Sequence, residues 1–196
     1  WHGVDLFTFV PVTDDVQKNL KVKYGFKEDD FVLFNYGRNS NIRKNNQGLL
    51  WIIAKYLETA PDNHKAFLHI LEPDFDGNDL FDYRDRILSL EFPKSVLDRI
   101  VFSDFRMNSA ASDSDVAEMI QMCDLIISAS IGEGFGLIMS EGMACAKPII
   151  HNDYTTPFEL LGDTSMGVGP RGWLVPYSAT FVASLNTEHA YTNKDV

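Results

Sequence analysis

The sequence predicts a Rossmann-like three-layer α/β/α domain with a mostly parallel sheet of about six strands. Three observations predict it. From about residue 30 onward, short apolar runs alternate with amphipathic stretches. The runs are continuously apolar rather than alternating, as expected of strands buried on both faces. The first and fourth runs lead into glycine-containing turns, where a chain leaving a strand can bend sharply.

The elements follow in order. Phe31-Val-Leu-Phe-Asn-Tyr36 reads as a buried strand ending at Gly37. Asn46 to Ala60 carries Leu49, Leu50, Ile53 and Leu57 on one helical face, and Pro61 stops it. Ala66–Leu71 is the second strand, helical stretches are expected around Asp79–Leu90 and Lys94–Ile100, and Val101-Phe102 begins the third strand. Asp115-Val-Ala-Glu118 has the pattern of a capping box opening a helix to Cys123. Asp124–Ala129 is the fourth strand, followed by a glycine-rich turn and a helix over about Gly136–Ala146. Pro148–His151 and Gly172–Pro176 complete the set. Right-handed crossovers would then gather the loops after the strands on one edge, where ligands bind in such folds. Residues 1–12 read as a linker segment, 13–177 as the folded domain and 178–196 as a polar, poorly ordered tail.

Composition narrows the class. The chain has 196 residues and a formal net charge of −11, which argues against a broad footprint for nucleic acid or anionic lipid. No apolar run has the roughly 18 residues of a membrane span. Cys123 and Cys145 lie in apolar segments and read as buried reduced thiols, consistent with a cytoplasmic protein. The histidines lack zinc spacing.

The richest segment runs from Ser128 to Pro148. Gly132, Gly134 and Gly136 occupy a strand-to-helix turn, and the free N–H groups at such a helix start favour an anion. Glycines alone carry little information. Two glutamates eight positions apart, Glu133 in the turn and Glu141 on the helix, add to it.

That segment, Glu133-Gly-Phe-Gly-Leu137 through Glu141-Gly-Met-Ala-Cys-Ala-Lys-Pro148, closely resembles the E-x7-E segment of glycosyltransferase family 4. Other stretches agree in order. His2-Gly-Val-Asp5 with Phe9 and Pro11 resembles the family's linker into its C-terminal domain. Gly37-Arg38 with Lys44 is similar to its phosphate-binding arginine and lysine. Thr155-Thr-Pro157-Phe-Glu159 resembles its Pro-Glu turn, and Gly172-Trp-Leu-Val-Pro176 its late Gly-Leu-Leu-Val-Pro. The resemblance covers residues 1–177.

The resemblance implies the nucleotide-sugar-binding half of a retaining enzyme of the GT-B architecture. The donor would be a UDP-, GDP- or ADP-sugar, and the acceptor a saccharide or lipid-linked group held by an N-terminal domain that nothing in this chain resembles. Negative charge develops on the departing nucleoside diphosphate, so the reaction needs preorganised cations or N–H dipoles. Arg38, Lys44 and Arg43 would supply the cations, with amides of Gly134, Phe135, Gly136 and Leu137 adding dipoles, and no metal or other cofactor is then required. Glu133 would accept from the donor sugar and favour the oxocarbenium-like transition state. Glu141 would accept from both ribose hydroxyls, Gly37 would allow close approach, and Ser103, Asp104 and Phe105 would hold the base.

Other motifs read as structural. Asp113-Ser-Asp115 sits where a helix cap belongs rather than a metal ligand. Asp74–Asp79 lacks calcium-ligand spacing, and Trp51 reads as packing. Glu159 either braces its turn or touches the donor. This chain has Lys44-Asn45 where the family commonly has Lys-Gly, and Cys145-Ala146 where it has Cys-Gly. His151-Asn-Asp-Tyr154 replaces a stretch that is often small and glycine-rich. Three alternatives are a stand-alone nucleotide-sugar-binding module, a starch-synthase-like glucan enzyme and a nonhydrolysing epimerase. A Rossmann dehydrogenase is disfavoured because no GxGxxG follows the first strand.

Overall fold

The computed structural model describes residues 3–38, 41–71, 88–103, 111–154, 156–162, 172–176, 179–184 and 187–191. Helices α1 (Asp14–Lys23), α2 (Asn41–Lys44), α3 (Asn46–Thr59), α4 (Ser89–Glu91), α5 (Lys94–Leu97), α6 (Asp113–Met122) and α7 (Leu137–Ala144) alternate with strands. The main sheet holds β1 (Phe31–Arg38), β2 (His64–Leu71), β3 (Ile100–Phe102), β4 (Leu125–Ile127), β5 (Ile149–Asp153) and β6 (Trp173–Pro176). Its strand order is β3-β2-β1-β4-β5-β6 and every pairing is parallel. This is the doubly wound arrangement that the sequence predicts.

Alternate residues of β1 face opposite layers, which explains why the run carries no polar alternation. Val32 and Phe34 join Phe67, Ile126 and Ile149 beneath α6 and α7, together with Met119, Ile120 and Met139. Leu33 joins Ala66, Leu68 and Ile100 beneath α3, together with Leu49, Leu50, Ile53 and Leu57. Gly142 lets α7 lie close to the sheet, since a Cβ there would meet Ile126 Cδ1 at 2.4 Å.

Several boundaries differ from the sequence-based expectation. Helix α1 falls in the stretch before residue 30, where no element was expected. Leu20 packs it against the core, and polar contacts fasten it: Lys21 Nζ pairs with Asp124 Oδ2 at 2.8 Å and donates to Asp30 O at 2.7 Å. Asp124 in turn accepts from Val32 N at 2.7 Å. The capping box lies one turn earlier than expected. Ser112 is the N-cap, Asp115 N donates to Ser112 Oγ, and the Asp115 carboxylate accepts from Ser112 N at 2.9 Å. Ile100, expected to end a helix, begins β3. The polar tail contains an antiparallel hairpin of β7 (Ala179–Ser184) and β8 (Thr187–Tyr191). Most of the helical stretch expected around Asp79–Leu90, and the Asp74–Asp79 segment, lie outside the described residues.

The linker segment is partly built into the domain. Phe9 is buried in the core, and Gln121 Nε2 donates to Val10 O at 3.0 Å. Trp51 donates to Glu91 Oε2 at 2.6 Å and meets the Phe92 ring edge-on, a packing role as expected. Cys123 and Cys145 are buried and free. No helix among the described residues is long and apolar enough to cross a membrane.

Candidate donor site at the strand-order switch

Strand order reverses direction between β1 and β4, so their onward connections leave on opposite faces and open a crevice beyond their carboxyl ends. The charged residues singled out in the sequence gather there. Gly37 and Arg38 end β1, and Lys44 ends α2, with its side chain 3.7 Å from where a Cβ of Gly37 would stand. Arg38 is exposed, while its carbonyl accepts from Asn46 Nδ2 at 3.1 Å.

Glu133 is the centre of the ionic contacts. Its side chain is only 7% exposed; Oε1 accepts from Lys44 Nζ at 2.5 Å, and Oε2 lies 3.5 Å from Arg43 Nη1. Backbone bonds hold the two loops together. Ile131 N and Ser130 Oγ both donate to Arg43 O, at 2.9 and 3.0 Å, and Arg43 Nη1 donates to Gly132 O at 3.3 Å. From the β5 side, Asn152 Nδ2 donates to Ser130 O at 3.0 Å, and Thr156 Oγ1 to Glu133 O at 3.1 Å.

Two of the departures noted in the sequence, Asn45 and Ala146, share one backbone feature. Asn45 has φ 48° and Ala146 has φ 55°, both in the left-handed region where glycine is unstrained. Asparagine tolerates that region, and Asn45 Nδ2 also donates to Ala129 O at 3.3 Å. Ala146 ends α7 in a Schellman turn: Lys147 N donates to Gly142 O and Ala146 N to Met143 O.

Gly136 precedes α7 with φ 80°, and no side chain caps the helix. Glu141 lies on α7 and accepts a hydrogen bond from the Tyr36 hydroxyl. Burial raises the Glu141 pKa, and the Tyr36 hydrogen bond opposes that shift. Burial and the Glu141 charge in turn push the Tyr36 phenol far above its usual range.

Phe34, Ile126 and Ile149 stand in register across β1, β4 and β5. Two residues further on, the same face carries Tyr36, Ser128 and His151. His69 pairs with Tyr36 from β2, and its Nδ1 lies 2.7 Å from Ser103 Oγ. The buried His151 has its pKa pushed down to about 4 by burial. Its Nδ1 contacts Asn152 O at 3.3 Å, while Nε2 has no hydrogen-bond partner among the described residues.

Thus Gly37, Arg38, Arg43, Lys44, Glu133 and Gly134 cluster at the β1–β4 crevice, with Gly136 just before α7 and Leu137 and Glu141 on it flanking the crevice. Phe135 lies in the same turn. Ser103 lies on the same sheet edge at the end of the outer strand β3, whereas Asp104 and Phe105 lie outside the described residues. Glu159 is exposed in a π-turn spanning Phe158–Gly162, and Thr155 is outside the described residues. Sequence reasoning did not single out Tyr36 or Thr156. For Tyr36 the available signal was an amphipathic aromatic at the carboxyl end of a buried strand.

The fold is that of GT-B glycosyltransferase domains. The family model described as glycosyl transferases group 1 matches residues 16–185, and the chain belongs to that family. A curated relative, "Putative glycosyltransferase EpsD" of Bacillus subtilis, is 29% identical over 97% of this chain and 44% of its own length. The chain therefore spans less than half of that relative. The crystal structure of HepE from Anabaena in complex with UDP and glucose is similar at a TM-score of 0.64 and 23% identity, covering 90% of this chain and 42% of that one. The C-terminal domain of a group 1 family protein, LpcC, from Francisella tularensis gives a TM-score of 0.63 and 21% identity over 89% of this chain and 80% of that domain.

Proposed function

We propose that this chain is the donor-binding part of a retaining, metal-independent glycosyltransferase of family 4, acting on a nucleoside-diphosphate sugar. The observation that carries the reading is the meeting of Arg43 and Lys44 with Glu133 at the strand-order switch, where β1 ends at Arg38. The donor's diphosphate takes up Lys44, Arg43 and Arg38, which neutralise the charge that grows as the bond to the anomeric carbon breaks. Exchange of Glu133 for phosphate at Lys44 frees the carboxylate to accept from a sugar hydroxyl. Amides of the Gly134–Leu137 turn add N–H dipoles, and Glu141 receives the ribose hydroxyls. Ser103 and the loop after it would border the base. The acceptor, a saccharide or lipid-linked group, would be held by residues outside this chain.

Calorimetric titration with UDP, GDP and ADP, without added metal, tests the reading. The expected result is saturable binding of one nucleotide, weakened about tenfold or more by Arg38→Ala and by Glu141→Ala, the scale of a lost charge-assisted hydrogen bond. Binding that requires a divalent cation, or that ignores both substitutions, would overturn it.

A further inference from the structure

The Tyr36–Glu141 contact has features of a device for aiming a carboxylate. Its partners come from different layers, β1 and α7, and are 105 residues apart in the chain. Tyr36 is firmly seated: it lies within β1, in register with His69 of β2, and its ring stacks on Phe34 with centroids 5.9 Å apart and planes 23° from parallel. Its phenol is pushed upward and so remains a donor at working pH. Glu141 has several χ torsions and no ion pair among the described residues, so among those residues this hydrogen bond is what restrains it. A carboxylate offers about four lone-pair sites, and one accepted bond leaves the others open.

We propose that Tyr36 is a positioning residue for nucleotide recognition, its hydroxyl holding Glu141 so that the free lone pairs face the ribose hydroxyls of the donor. This rests on the donor-site reading above. It adds that the ribose preference of the site is set partly by a residue that does not touch the ribose. Preorganisation of this kind removes the entropic cost of orienting the carboxylate when ligand binds. A purely structural role, fastening α7 to β1, makes a different prediction. Loosening α7 would weaken every ligand of the site alike, whether or not it carries ribose hydroxyls.

The experiment compares wild type, Tyr36→Phe, Glu141→Ala and the double variant by calorimetry. Each is titrated with UDP, GDP and ADP, and with the 2′,3′-dideoxy form of whichever binds tightest. Circular dichroism melts check that each variant is folded. Tyr36→Phe should weaken the ribonucleotide about fivefold, the scale of one net hydrogen bond, and leave the dideoxy form unchanged. In the Glu141→Ala background it should add nothing. Equal weakening of both ligand forms, or an unchanged ribose preference while Glu141→Ala abolishes it, would overturn the Tyr36 role alone. If Glu141→Ala itself leaves the ribose preference intact, or no nucleotide binds, the donor-site reading fails and this inference fails with it.

Discussion

Lys44 faces a test that needs no ligand. Glu133 is 7% exposed and its nearest cation is Lys44 at 2.5 Å; Arg43 is looser at 3.5 Å, with a side chain 43% exposed. Lys44→Met removes the close partner and leaves a carboxylate in a low-dielectric place. Breaking a fully buried pair costs about 3–5 kcal/mol. Lys44 is 19% exposed and Arg43 can swing inward, so we expect about 2 kcal/mol here. Glu133→Gln keeps the shape and removes the charge; Lys44 can then turn toward water, at a cost of about 1 kcal/mol or less. The double variant should lie close to Glu133→Gln, giving a coupling of about 2 kcal/mol. Urea unfolding without nucleotide measures all four proteins, with an unchanged m-value as the condition for reading the midpoints as stability. Additive effects, or a Lys44→Met variant as stable as wild type, would refute the reasoning.

Two further outcomes follow from the backbone and from burial. Ala146→Gly relieves a left-handed residue at the end of α7, and should raise stability by about 1 kcal/mol, seen as a higher melting temperature; a fall would show the turn is not strained. His151 has a folded pKa near 4 against an ordinary 6.5, so below 6.5 the unfolded chain binds the extra proton. The stability it contributes is present above pH 6.5 and lost as pH falls toward 4, about 3 kcal/mol in all. His151→Leu should flatten urea-derived stability across that window, and parallel wild-type and variant curves would count against the buried neutral imidazole.

What the sequence revealed follows from the range of the interactions involved. The β1 run was legible because burial on both faces leaves a continuous apolar signature, and α3 because Leu49, Leu50, Ile53 and Leu57 repeat at helical spacing. Helix α1 was not, because Asp14–Lys23 is mostly polar and is fastened by Lys21 and Gln17 to residues more than 100 positions away. The capping box was misplaced by three residues because Ser112-x-x-Asp115 and Asp115-x-x-Glu118 are both plausible boxes, and only geometry distinguishes them. In the candidate site, the charges and the E-x7-E spacing were visible as local pattern. The Lys44–Glu133 pair joins residues 89 apart, and the Tyr36–Glu141 bond residues 105 apart, so neither partnership is written in any short window. The glycine departures were visible as substitutions, but their common left-handed backbone was not.

The Lys21–Asp124–Val32 clasp lies where β1 and β4 begin, at the opposite rim of the sheet from Glu133 and Glu141. One end of the sheet thus anchors the chain while the other presents its replaceable loops. Changes at Tyr154 and Thr156, just beyond β5, leave that anchor untouched, so the ligand preference proposed for the site is free to drift while the scaffold stays the same.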